Sequence, residues 1–187
     1  PVAAADSKFT STDRAKMFYY RGYIYFSQEK YGLAERAYKN LIAEEDSSDQ
    51  ERQGAIYSLS QLRYIAEDYK GSITYLLEWL DNEEEPSSDG YGLLAQAYYQ
   101  VENFQKSVEA IDTAIEIQES RDIPIKVAVL DAEGNETGEM IETGETRKGV
   151  AKENHYLLKM ALYSELKKDL EVLPIYEILV QYYPKKR

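Results

Sequence analysis

A pattern of small and aromatic residues that recurs about every 35 positions constrains this chain more than any other feature. Gly22, Tyr25, Tyr31, Ala34 and Tyr38 form one set, Ser60, Tyr64, Tyr69, Ser72 and Leu76 a second, and Ala95, Tyr98, Phe104, Ser107 and Ile111 a third. Tyr31, Tyr69 and Phe104 are 38 and 35 residues apart. A repeat of this length holds one supersecondary unit, too small to bury its apolar face alone, so successive units must stack. Tyrosine, with 18 copies, falls mostly in stretches of helical spacing rather than strand alternation.

The positions of the small residues explain the pattern. Two helices approach closely only where large side chains do not hold the backbones apart. Gly22, Ser60 and Ala95 resemble the small residue that tetratricopeptide repeats place where helix A meets helix B, and Ala34, Ser72 and Ser107 resemble the one such repeats place early in helix B. Helices are predicted over 13–28, 32–44, 50–67, 69–82, 88–102, 104–120, 151–166 and 169–183. Ser48 with Glu51 forms a capping box, and Pro86-Ser87-Ser88-Asp89 separates the second unit from the third. A fourth unit is looser: Tyr156, Met160, Tyr163, Val172, Tyr176, Leu179 and Pro184 fit the template, Asp169 or Leu170 stands in place of the opening aromatic, and Pro174 is placed in the first turn of its second helix.

Residues 121–150 interrupt the array. Ile123, Ile125, Val127 and Val129 alternate with Pro124, Lys126 and Ala128, and Gly134-Asn135 and Thr137-Gly138 supply turn chemistry before Met140-Ile141. These signals predict a β-hairpin whose apolar face rests on the helices or on a partner, since an isolated hairpin is marginal in water.

Composition narrows the function. A formal net charge of -12 repels phosphate backbones and anionic lipid heads, so nucleic acid is not expected, and no apolar run approaches the roughly 20 residues that span a bilayer, so direct membrane insertion is not expected either. Cysteine is absent, and no Gly-rich phosphate loop or Ser/His/Asp set occurs, so no enzyme, catalytic residue, cofactor or metal is expected. His155, the one histidine, has no convergent partners by spacing and reads as a helix-terminus residue. Asp131, Glu133, Asn135, Thr137, Glu139 and Glu142 match the oxygen-ligand spacing of an EF-hand loop, but Glu136 occupies the position that needs glycine, so the segment reads as a solvated hairpin tip.

The repeat resembles the tetratricopeptide repeat (TPR). That resemblance implies an all-α, right-handed solenoid of about four helix hairpins, with repeats near 15–48, 53–86, 88–120 and 152–186. The β-hairpin 121–150 is inserted between the third and fourth. Residues 1–12 form an N-terminal extension and 13–187 a single solenoid domain. In TPR arrays the A helices line a concave groove. Tyr19, Tyr23, Phe26, Tyr57, Gln61, Tyr64, Gln96 and Tyr99 occupy the groove-facing positions here, an aromatic and amide surface suited to a peptide. The alternative is that several of them pack between helices with only the hydroxyl outside. Co-chaperone TPRs that clamp a C-terminal carboxylate present Lys and Asn where Tyr19 and Tyr23 stand, which argues against a clamp.

Two longer stretches carry a narrower resemblance. "KYGLAERAYKNLIAEE" with "ERQGAIYSLSQLRYIAEDYKGSITYLLEWL", between Lys30 and Leu80, and "KENHYLLKMALYSELKKD" with "ILVQYYPKK", between Lys152 and Lys186, are similar to TPR proteins that accompany TonB–ExbB–ExbD systems. The resemblance implies a periplasmic accessory protein of TonB-dependent transport, with TonB or an associated inner-membrane component as partner. Cytoplasm is the alternative location. The alternative function is a structural assembly factor that self-associates through its C-terminal end.

Overall fold

The computed structural model describes residues 9–131 and 133–184. Their helices are α1 Ser11–Ser27, α2 Tyr31–Ala43, α3 Asp49–Ile65, α4 Tyr69–Asn82, α5 Ser88–Gln100 and α6 Phe104–Glu119, then α7 Glu153–Glu165 and α8 Asp169–Tyr182. Strands β1 Asp122–Leu130 and β2 Glu136–Lys148 lie between α6 and α7. Each helix falls where the periodicity places it, within two residues at either end. Most of the expected extension 1–12 lies outside the described residues, and so do Lys185, Lys186 and Arg187.

Local chemistry sets the helix starts. Thr10 and Asp13 cap α1 reciprocally, and Ser48 and Glu51 do the same for α3, each pair satisfying two orphan donors of the first turn. Asp68 caps α4 by accepting from the Gly71 amide at 3.0 Å.

The turn from helix A to helix B is identical in all four hairpins. Glu29, Glu67, Glu102 and Lys167 have φ between 56° and 59°, in the left-handed region. The next amide reaches back five residues, from Lys30 to the Tyr25 carbonyl, Asp68 to Arg63, Asn103 to Tyr98 and Lys168 to Tyr163, at 2.8–2.9 Å. This is a Schellman closure in which a charged residue occupies the site glycine usually fills. It fixes the equivalence of the four units: position 22 corresponds to 60, 95 and 160, and position 38 to 76, 111 and 176.

The described residues group into two compact units, one of 9–86 with 93–107, the other of 87–92 with those from 108 to 184. In the first unit Ala15, Ala34, Tyr38, Leu41, Ala55, Leu59 and Leu62 form a buried cluster, with Phe18, Tyr25, Phe26, Tyr31, Ile42 and Tyr75 packed against it. The small positions behave as the sequence requires. Gly22, Ala34, Ser60, Ser72, Ala95 and Ser107 are all buried, and Ser107 Oγ donates to the Ala95 carbonyl at 2.6 Å, joining helix B directly to helix A.

In the second unit the β1–β2 hairpin is antiparallel, with Asp122 opposite Lys148 and Val127 opposite Ile141. Its tip turns at Gly134 (φ 86°), held by Asp131 Oδ1, which accepts from the Glu133 and Asn135 amides at 3.0 and 2.8 Å. Thr137-Gly138, expected to belong to a turn, lies inside β2. Gly138 and Gly144 adopt φ of 84° and 83°, beside the two register shifts of the sheet. In each, the preceding threonine hydroxyl donates across to β1, Thr137 to Val129 and Thr143 to Ile125, so the repeated Thr-Gly-Glu builds the same bulge twice. The expected apolar face lies exposed at Ile123, Val127 and Ile141 rather than resting on the helices, and Ile125 and Val129 are half-buried. The base is pinned by the Gly149 amide on the Arg121 carbonyl, 2.8 Å, and by Lys148 on Asp122, 2.9 Å.

The fourth hairpin departs from the others. Met160 and Val172 hold the two positions that are small elsewhere, and both are only half-buried. Pro174 is the sixth residue of α8, beyond the first turn where it was expected, so the Leu170 carbonyl lacks its helical donor. Ala151 anchors this hairpin instead: its amide donates to Tyr156 Oη at 3.3 Å, and Tyr183 donates to its carbonyl. Tyr156 in turn donates to Glu119.

Candidate functional site: the tyrosine face of the A helices

All eight groove positions lie in the first unit, on α1, α3 and α5. They form three equivalent rows: Tyr19 and Tyr57; Tyr23, Gln61 and Gln96; Phe26, Tyr64 and Tyr99. The rows differ in exposure and in what their rings touch.

Tyr19 and Tyr23 are open to solvent, at 36% and 65% exposure. Gly22, on the same helix, makes room for Tyr38, since a Cβ there would lie 2.4 Å from its Cε1. The Tyr38 ring therefore packs against α1, and its hydroxyl lies beside Ser58 of α3. Burial raises the Tyr38 pKa above the ordinary tyrosine value; Ser58 offsets part of this, and the nearby Tyr19 and Tyr23 add to it. Three tyrosines thus converge on the junction of α1, α2 and α3. Gly54 of α3 keeps this junction close, 3.5 Å being the distance from its would-be Cβ to the Tyr19 ring.

Phe26, Tyr64 and Tyr99 are only half exposed, because each ring packs on the aromatic that opens helix B: Phe26 on Tyr31 at 6.0 Å, Tyr64 on Tyr69 at 5.2 Å and Tyr99 on Phe104 at 5.6 Å. These rings close the turns of their hairpins and present one edge outward. The Tyr64 hydroxyl is hydrogen-bonded to Gln100, and burial raises its pKa. Tyr57 is spoken for as well, its ring 5.0 Å from Trp79 of α4. Gln61 and Gln96 are half-buried.

The face is therefore divided. Tyr23 offers the most ring surface, Tyr19 is partly exposed with its ring edge-on to Tyr20 at 5.8 Å, and Tyr57, Tyr64 and Tyr99 are held by ring contacts to Trp79, Tyr69 and Phe104. Sequence reasoning named Tyr38 only as a position of the repeat and not as part of this junction; the equivalent positions Leu76 and Ile111 carry no hydroxyl, and that difference was the available signal. Charge around the site is paired: Arg63 bridges to Glu35, which also holds Lys39 at 2.7 Å, and the Lys39 and Arg63 contacts lower the Glu35 pKa.

Among the described residues no group of three His, Cys, Asp or Glu is placed to hold a metal, and no helix is long and apolar enough to cross a membrane. Asp131 spends its carboxylate on the hairpin tip. His155 is buried at the start of α7, its Nδ1 without a hydrogen-bond partner among the described residues and its Nε2 against Gly92.

The backbone is similar to that of the MamA protein, with a TM-score of 0.66 at 13% identity, covering 91% of this chain and 74% of MamA. It is equally similar to YrrB, described as a TPR protein with an unusual peptide-binding site, at TM-score 0.66 and 13% identity over 97% of this chain and 74% of YrrB. The chain has the tetratricopeptide-repeat fold. The first TPR of Spaghetti (RPAP3), bound to an HSP90 peptide, matches 59% of this TPR chain and 83% of its own at TM-score 0.51 and 11% identity. No protein-family model and no curated protein sequence matches.

Proposed function

We propose that this TPR protein is a non-catalytic adaptor that holds a peptide or protein segment against the tyrosine face of α1, α3 and α5. The observation that carries the reading is the exposure of Tyr19 and Tyr23 above a fixed base, the Gly22–Tyr38–Ser58 junction. Exposed aromatic rings with few rotamers give contact area at low entropic cost, and their hydroxyls and the amides of Gln61 and Gln96 suit the polar backbone of an extended segment. The fold supports the same reading: YrrB has a peptide-binding site, and the RPAP3 domain is bound to a peptide.

The narrower proposal is a periplasmic accessory role in a TonB-dependent transport system, with TonB or an associated inner-membrane component as the partner. It is supported by the similarity of Lys30–Leu80 and Lys152–Lys186 to the TPR proteins of such systems. Affinity capture from a periplasmic and inner-membrane extract, with wild type and Tyr19→Ala/Tyr23→Ala side by side, tests both levels. Recovery of TonB-system components by wild type alone supports the narrow role. Equal recovery by both proteins refutes the tyrosine face, and a partner set without those components refutes the transport assignment.

A further inference from the structure

The outer side of the α7–α8 hairpin is a groove of about 410 Å³, lined chiefly by Leu157, Met160, Tyr176, Leu179 and Val180, with Glu153 at its rim. Tyr176 is 57% exposed and Val180 56%. The repeat register shows what such a surface is shaped to receive. Position 176 corresponds to Tyr38, Leu76 and Ile111, which are 3%, 0% and 0% exposed. Over Tyr38 the cover is a helix, α3, which approaches through Arg52, Ala55, Ser58, Leu59 and Leu62. The exposed groove is thus the seat of a helix A that the described residues do not supply.

The first helix presents the matching face. Subtracting one repeat from Ala55, Ser58, Leu59 and Leu62 gives Met17, Tyr20, Arg21 and Ile24 on α1. Tyr20 and Ile24 are 63% and 48% exposed, more than any core role would leave them. They lie beside the Tyr19–Tyr23 row but belong to the side by which α3 grips its predecessor.

Charge distinguishes the occupant. In a chain of net charge -12, α1 carries Arg14, Lys16 and Arg21 against one acid, Asp13; Arg14 is bound to Glu44 at 2.9 Å, so Lys16 and Arg21 are the bases α1 brings to a contact. The receiving helix α8 carries Asp169, Glu171 and Glu177 and no base, and Glu153 stands at the groove rim. A helix with Arg21 between the exposed Tyr20 and Ile24, and an apolar groove of the right register with Glu153 at its rim, are complementary in register and sign.

We propose that a second copy of this chain occupies the groove, seating its α1 on α7–α8 as α3 seats on α1–α2. The contact is heterologous, so each copy keeps one donor face and one acceptor face and assembly continues head to tail.

Two single variants on solvent-exposed residues test it: Tyr20→Asp spoils the donor face and Tyr176→Asp the acceptor groove. Sedimentation equilibrium of wild type is expected to show mass rising with concentration beyond a dimer, and each variant alone is expected to stay monomeric with unchanged helical circular dichroism. An equimolar mixture retains one good face of each kind and is expected to stop at a 1:1 heterodimer. A wild type that stays monomeric at the highest soluble concentration overturns the proposal. So do variants that associate like wild type, or a mixture that does not pair. Because the Tyr20 ring packs edge-on against Tyr19 at 5.8 Å, partner capture is read on Tyr176→Asp, which lies outside the tyrosine face, so either reading can fail without the other.

Discussion

The Tyr38 ring lies so close to Gly22 that a single added methyl would approach it to 2.4 Å. That contact joins the repeat pattern to the candidate site: the small residue lets helix B's tyrosine lie on helix A, and the tyrosine's hydroxyl then reaches Ser58 on the following helix. Gly22→Ala must push the ring aside inside a cluster that holds Leu41, Leu59 and Leu62. Overpacking of this kind costs about 1–3 kcal/mol. Urea denaturation should show the loss, and partner capture should weaken as Tyr19 and Tyr23 lose their base.

His155 gives the second unit an acid sensitivity. Burial is the main cause lowering its pKa below the ordinary 6.5, with Asp89 acting against and Lys152 with it. The unfolded chain then binds a proton that the folded chain resists, so stability is complete above about pH 6.5 and falls as pH drops through and below that value. His155→Gln should flatten the dependence of the thermal midpoint on pH between 7 and 5, whereas a slope unchanged by the substitution would place the acid sensitivity elsewhere.

Pro174 leaves a carbonyl of α8 unpaired in mid-helix. Restoring the amide with Pro174→Ala removes a penalty of about 3 kcal/mol in a regular helix, less whatever local adjustment already recovers. The expected outcome is a higher melting temperature and slower amide exchange at Pro174's successors, Ile175 and Tyr176.

The four left-handed turns predict a gain from glycine. Lys167 adopts φ 56° with a full side chain, at a cost of about 1–2 kcal/mol that glycine does not bear, against a smaller entropic penalty in the unfolded state. Lys167→Gly should therefore stabilise the fourth hairpin by up to about 1 kcal/mol in chemical denaturation, and Glu67→Gly the second by a similar amount.

Much of this was legible beforehand, for a physical reason. Helix positions follow from periodicity and capping, and Ser48 with Glu51 announces α3 as plainly in sequence as in the structure. The small residues Gly22, Ser60 and Ala95 are readable because only absence of a side chain permits the crossing. The left-handed turn residues were not, since Glu29, Glu67, Glu102 and Lys167 carry no signature of the conformation that backbone hydrogen bonding imposes on them. Thr137-Gly138 reads equally as turn or bulge, and only pairing across to Val129 decides. At the candidate site, template positions place Phe26, Tyr64 and Tyr99 in one row of the A helices but do not reveal that Tyr31, Tyr69 and Phe104 hold their rings.

The most direct test of the adaptor reading places a photo-crosslinking phenylalanine analogue at Tyr23, and separately at Leu33 on the surface of α2, in cells that carry the partner. The account predicts a crosslinked protein from position 23, lost when Tyr19 is changed to Ala, and none from position 33. A partner that crosslinks equally from both positions, or only from 33, would contradict it.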